Sequence, residues 1–155
     1  MLLTEKQKGL IEKIGIVTER EGMQPAAARI VGLLYVADNP ELTFEEIVQA
    51  LHISKSAASN ALNLLLQTNR IEYTTFSGDR KRYFRIKVAN WREGFAKKME
   101  DMTSFSQVLQ EVLNERNPET VEFNKNLAEL ADFLKYVNNQ LPGLLENWEK
   151  MRKGQ

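Results

Sequence analysis

Apolar residues in the first part of the chain recur with a helical period. Across residues 4–22, Leu10, Ile11, Ile14 and Val17 fall on one side of a helix. Gly22 fits its C-terminal stop, and Pro25 fits the first turn of a second helix. That helix extends to about residue 37; it is alanine-rich and apolar on most sides, which predicts burial. Asp38, Asn39 and Pro40 are turn formers and end it. Thr43 and Glu46 then make a capping box, in which the threonine oxygen accepts from the third helical amide while the glutamate reaches back. Phe44, Ile47, Val48 and Leu51 give the following short helix a single apolar stripe. It ends near His52, and Ser54 caps a fourth helix running to about residue 68.

After Arg70 the period changes. Tyr73 and Thr75 lie in a β-prone run over residues 71–76, and Phe84, Ile86 and Val88 alternate with Tyr83, Arg85 and Lys87 in a second run. The glycine-containing segment 77–81 between them predicts a hairpin with a five-residue connection. Two long helices follow, over about residues 90–115 and 118–150. In the second, Phe123, Leu127, Leu130, Leu134, Val137, Leu141, Leu144, Trp148 and Met151 alternate at spacings of four and three, a heptad seam. Met102, Phe105, Leu109 and Val112 repeat that spacing upstream. Pro142 and Gly143 are expected to kink or break the last helix. The seam has two uses open to it, an intrachain helical hairpin or a dimer interface. The amount of apolar helix outside the rest of the fold favours the dimer.

The order of elements predicts a mainly α fold with a small β-hairpin wing. A winged helix-turn-helix over residues 43–88 is flanked by N- and C-terminal helices that serve dimerisation. Residues 1–89 form the DNA-binding domain with its N-terminal helix, and residues 90–155 the helical dimerisation region. Length agrees with one compact domain carrying a helical extension.

Composition narrows the chemistry. The chain is 43% hydrophobic, enough for a real core, and 27% charged. It has no cysteine and one histidine, which excludes disulfides, thiolate metal sites, thiol nucleophiles and multi-histidine metal sites. No glycine-rich phosphate loop or paired-carboxylate motif stands out, so neither an enzyme nor a cofactor is expected. The longest apolar run, near residues 30–37, is too short to span a bilayer, and the N-terminus lacks a secretory pattern. A cytoplasmic protein without a membrane partner is expected.

Net charge is zero, but the average conceals an asymmetry. Residues 52–87 carry 7 basic and 2 acidic side chains, net +5, whereas residues 1–51 are net −3 and residues 88–155 net −2. One segment therefore holds the positive excess, as an electrostatic footprint on double-stranded DNA requires. Within it, Ala58, Ala61, Leu62 and Leu65 share the core face of the fourth helix, and Lys55, Ser56, Ser59, Asn60, Asn63 and Gln67 share the opposite face. No acidic residue interrupts that polar face. Its amides and hydroxyls suit base edges in a major groove. Ser54, Ser56 and the helix N-terminus can hold a phosphate, with Lys55 adding charge. The hairpin tip brings Arg80, Lys81 and Arg82, suited to a narrow minor groove, and Asp79 is placed to orient Arg80 through an ion pair. A winged helix that binds protein instead would expose an apolar or acidic face here, and it is the leading alternative.

The stretch TFEEIVQALHISKSAASNALNLLLQTNRIEYTTFSGDRKRYFRI resembles the winged-helix core of MarR-type regulators, especially the GbsR-like branch. The upstream stretch IEKIGIVTEREGMQPAAARIVGLLYVADNPEL, with an arginine inside an apolar helix and an Asn-Pro-Glu turn, points to that branch. The resemblance covers about residues 11–86, while the C-terminal helices match in character only. It implies a homodimer built from terminal helices around two DNA-reading lobes, with transcription of nearby genes as the output. Phe123, Leu127, Leu130, Leu134, Val137 and Leu141 are the residues assigned to dimerisation. MarR-type proteins often respond to small ligands, so an effector of unspecified identity belongs to the expectation, with Trp91, Phe95, Tyr35 and Tyr136 as candidate lining or ordinary core.

Arg29 stands in an otherwise apolar helix and needs a partner. The DNA backbone and a carboxylate such as Glu45 or Glu46 are both available, and the sequence does not choose between them. His52 reads as a helix-end residue without chemistry.

Overall fold

A computed structural model describes residues 3–88 and 91–154. Its elements in order are α1 (Glu5–Arg20), α2 (Pro25–Val36), β1 (Leu42–Thr43), α3 (Phe44–Leu51), α4 (Lys55–Gln67), β2 (Ile71–Thr74), β3 (Tyr83–Ile86), α5 (Trp91–Glu115) and α6 (Val121–Lys153). The chain divides into two compact units, residues 1–88 and 89–155. The start of α5 anticipated at Asn90 lies outside the described residues. No described helix is long and apolar enough to cross a membrane.

In the first unit, α2 is the central element. Its residues Ala27, Ala28, Ile30, Val31, Leu33 and Leu34 are all buried, as an all-round apolar helix must be. Gly32 lets α1 lie directly on it: a Cβ built there would stand 2.8 Å from the Ile11 carbonyl oxygen. The core also takes Ile47 from α3, Ala61, Leu62 and Leu65 from α4, and Leu42, Ile71 and Phe84 from the strands.

The α1 stripe is rotated from its expected position. Ile11 and Gly15 are buried, whereas Leu10 and Val17 are exposed. The cause is the crossing with α2, where Arg29 lies across Gly15. Arg29 Nε donates to Glu12 at 2.9 Å, and a second guanidinium nitrogen donates to Glu19. Burial works against the Arg29 charge, but Glu19 and Glu12 outweigh it and hold the guanidinium above its usual pKa. Its carboxylate partners are therefore on α1, replacing the expected Glu45 or Glu46.

The capping box of α3 forms as anticipated. Thr43 Oγ1 accepts from the Glu46 amide at 3.3 Å, and Glu46 Oε2 accepts from the Thr43 amide at 2.8 Å and its hydroxyl at 2.7 Å. The amide and hydroxyl of Thr43 hold the Glu46 carboxyl below the ordinary glutamate range. A lowered folded pKa contributes stability that is complete above the unfolded value and is lost as pH falls through the folded one. Glu46→Ala is expected to cost about 1 kcal/mol at neutral pH. The gap from wild type should close in acid. Urea unfolding at the two pH values measures it, and a gap of equal size at both would refute the assignment.

The sheet is antiparallel with order β1-β3-β2. Thr43 and Thr74 both register against Tyr83, and Leu42 and Tyr73 both register against Phe84, so β3 is paired on each side. The two-residue β1 carries no periodicity and escaped the sequence reading. The hairpin connection is longer than expected, residues 75–82 rather than 77–81. The ladder stops at Thr74 because Phe76 turns away: its carbonyl accepts from the Asp79 amide at 3.0 Å across Gly78, which sits at φ +85°.

The second unit is a helical hairpin. Inward-facing residues of α5 are Phe95, Met99, Met102, Ser106, Leu109 and Leu113, at spacings of four and three. Those of α6 are Leu127, Ala131, Leu134, Asn138, Leu141, Leu145 and Trp148. Ser106 Oγ donates to the Ala131 carbonyl at 3.0 Å, tying the two seams at mid-length. The expected single seam on α6 thus resolves into two faces. Leu127, Leu134, Leu141 and Trp148 turn toward α5, Val137 is half-buried, and Phe123, Leu130, Leu144 and Met151 are exposed by 56%, 45%, 62% and 66%. On α5, Phe105 and Val112 are likewise exposed, while Met102 and Leu109 turn inward. Of the kink or break anticipated at Pro142, the break does not occur: α6 is one helix through residue 142.

Candidate DNA-binding site

The helix-turn-helix is α3, residues 52–54 and α4. His52 adopts the left-handed conformation at φ 51° and ends α3, as a helix-end residue does. Ser54 Oγ accepts from the Ala57 amide at 3.1 Å and starts α4. Ala58, Ala61, Leu62 and Leu65 are buried, and the small pair at 58 and 61 leaves room for the close approach of α2 and α3. Lys55, Ser56, Ser59, Asn60, Asn63 and Gln67 are all exposed on the opposite side. This amphipathic division was visible in the sequence because it depends only on helical spacing.

The wing is held by contacts that spacing does not show. Asp79 Oδ1 accepts from the Lys81 amide at 2.9 Å, and Oδ2 accepts from the Tyr83 hydroxyl at 2.7 Å. The Tyr83 ring meets the Phe76 ring edge-on at 5.0 Å. The Arg82 guanidinium lies 4.8 Å from the Tyr73 ring centre, and Tyr73 packs on Phe84 at 6.1 Å. Asp79 therefore braces the turn through Tyr83 and the backbone instead of pairing with Arg80. Its carboxyl is held below the usual range, first by the Tyr83 hydroxyl and then by the Lys81 amide.

Not all of the local positive charge is available to a ligand. Arg85 is bonded to Glu72 and to Glu41, each at 2.8 Å, and ties β3 to its surroundings. Among the described residues, no ion pair engages Lys55, Arg80, Lys81 or Arg82. A groove of about 370 Å³ lies between α4 and the wing. Its lining takes Ser59 and Asn63 from α4 and Arg80, Lys81 and Arg82 from the wing, together with the apolar Phe44, Leu62, Leu66 and Phe84. Glu45 of α3 also lines it and is its one acidic member. The fold thus brings five of the anticipated contact residues into one concave surface. Ser54, Lys55, Ser56 and Asn60 lie on α4 and its cap outside the groove lining, and Arg29 is engaged with α1.

In the helical unit, Trp91 packs against Phe95 at 6.5 Å and against Trp148 at 5.4 Å. Tyr35 and Tyr136 are exposed.

Comparison with known proteins agrees with this geometry. A MarR family model matches residues 21–82, and a model of MmpR5-like MarR family transcriptional regulators matches residues 89–151. The HTH-type transcriptional regulator MmpR5 of Mycobacterium tuberculosis is 25% identical over 90% of this chain and 85% of its own length. The HTH-type transcriptional repressor OpcR of Bacillus subtilis is 25% identical over 96% of this chain and 86% of its own. A crystal structure of a transcriptional regulator shares the fold, with a TM-score of 0.70 at 24% identity over 94% of this chain and 99% of that one. With family models matched on both units, and a capped helix-turn-helix followed by a braced wing, the chain belongs to the MarR family of winged-helix, DNA-binding transcriptional regulators.

Proposed function

We propose that the protein is a homodimeric, sequence-specific regulator whose α4 reads base edges in the major groove of double-stranded DNA while the wing enters the adjacent minor groove. The observation that carries this reading is the groove whose lining brings Ser59 and Asn63 together with Arg80, Lys81 and Arg82. Short neutral side chains suit base edges, and cations without carboxylate partners suit phosphate and the negative minor groove. A protein-binding winged helix would present an apolar or acidic face instead. Lys55, with Ser54 and Ser56 at the start of α4, is assigned to a phosphate. Arg29 is assigned to the α1–α2 packing and not to DNA.

Dimerisation is supported by the second unit. Phe123, Leu130, Val137, Leu144 and Met151 are spaced by seven, and each seven-residue step leaves them on one side of α6. In an antiparallel hairpin the position just before each seam residue falls on the same side in both helices, so Phe105 and Val112 extend the stripe. A second copy offers a self-complementary apolar face for it. The GbsR-like branch, a small-molecule effector and a cytoplasmic location complete the reading and rest on sequence resemblance and composition.

A two-fold dimer presents two recognition helices. Selection from random duplexes is expected to recover an inverted repeat with half-site centres ~34–36 Å apart. Recovery of a single asymmetric half-site would refute the symmetric docking.

A further inference from the structure

We propose that the Asp79–Tyr83 pair is a brace that sets the wing tip in its DNA-contacting shape, making Asp79 a positioning residue whose negative charge accompanies tighter, not weaker, DNA binding. The inference rests on the reading that the wing touches DNA.

The geometry ties a mobile class of structure to a rigid one. Residues 75–82 form an exposed connection that would otherwise lose much freedom on meeting a duplex. Tyr83 is the first residue of the central strand, in register with both Thr43 and Thr74. Its hydroxyl at 2.7 Å from Asp79 Oδ2 links that anchored ring to the tip. The other carboxylate oxygen takes the Lys81 amide at 2.9 Å, so Arg80 is enclosed between two fixed points. The turn from Phe76 to Asp79 and the edge contact of Phe76 with Tyr83 close the same unit from the N-terminal side.

Charge alone argues the other way. Asp79 adds a negative charge next to Arg80 and Lys81, where phosphate would approach. A carboxylate in that place lowers affinity unless it does something geometric that outweighs repulsion. Holding the tip in advance of binding is that gain. It also makes the brace separable from bulk electrostatics, because the two predict opposite signs.

The test is fluorescence anisotropy of labelled random-sequence duplex DNA across a salt series, with Asp79→Ala, Asp79→Asn, Tyr83→Phe and Arg80→Ala. Asp79→Ala and Tyr83→Phe are each expected to weaken binding about tenfold, the loss set by ordering two long side chains at the moment of binding. Asp79→Asn carries the same charge as Asp79→Ala but can still accept from the Lys81 amide and bond the Tyr83 hydroxyl. It should therefore recover part of the affinity. Amide exchange at Lys81 should quicken in Asp79→Ala and Tyr83→Phe, while thermal melting by circular dichroism stays at the wild-type value. Arg80→Ala should flatten the log-affinity against log-salt slope by about one unit. If Asp79→Ala binds as tightly as wild type or more tightly while Arg80→Ala weakens binding, the brace is overturned and wing contact survives. If Arg80→Ala changes neither affinity nor slope, the wing does not meet DNA and the brace falls with it.

Discussion

Paired replacement of Leu130 and Leu144 by lysine is expected to give a monomer that keeps its helical hairpin and loses most of its affinity for an inverted-repeat site. Both residues are exposed on the side of α6 that turns away from the seam with α5. Four methylenes of a lysine can extend into water there without disturbing the packing of Leu134 or Leu141. Burial of the stripe against a second copy is then blocked by two unpaired charges per chain. Loss of the second DNA-reading lobe removes an effective-concentration gain of about 10²–10⁴. Leu134→Lys is the contrasting variant: it places a charge on the α5-facing side, so helical content and melting temperature should fall along with assembly. Sedimentation velocity with circular dichroism distinguishes the two. A double lysine variant that still sediments as a dimer would move the interface off this face.

Asn60→Ala and Asn63→Ala should each lose roughly 1–3 kcal/mol on the selected site, about fivefold to more than a hundredfold, and much less on random duplex. Neither side chain carries charge, both are exposed, and they stand about one turn apart on α4. Their loss should leave the salt slope unchanged. Lys55→Ala should behave in the opposite way, weakening specific and random binding evenly and reducing the slope by about one unit. Binding isotherms on cognate and scrambled duplexes across salt decide the matter. Variants at 60 and 63 that bind both duplexes like wild type would mean that α4 does not read bases. Indifference at 55, 60, 63 and 80 together would favour the protein-binding alternative.

Much of this fold was legible because its signals are local. Thr43 with Glu46 and Ser54 with Ala57 are within three residues of one another, so the capping interactions could be read from spacing alone. The buried and exposed faces of α4 follow from the helical period and nothing else. Where a face is chosen by a partner far along the chain, the reading went astray. Arg29 is 17 residues from Glu12 and 10 from Glu19, and Glu45 and Glu46 were equally plausible by charge. Only the crossing of α1 over α2 selects between them.

The C-terminal helices show the same division. The sequence by itself determined that α5 and α6 are long, amphipathic and richer in apolar positions than one seam needs, because heptad spacing is a property of the chain. It could not say that Leu127, Leu134 and Leu141 turn toward α5 while Phe123, Leu130 and Leu144 face away. A stripe spaced by alternating fours and threes can be drawn through either set, and adjacent stripes on a helix share members. The antiparallel contact with α5 decides it, by burying Ala131 and Leu109 and leaving the next face open. In the wing the sequence determined two β-prone runs and a basic turn. That Tyr83 holds Asp79, and that Ser59 and Asn63 line one groove with Arg80, depends on how β3 is seated between β1 and β2. Side-chain type and spacing are written along the chain, but which surfaces meet is set by packing between elements distant in sequence.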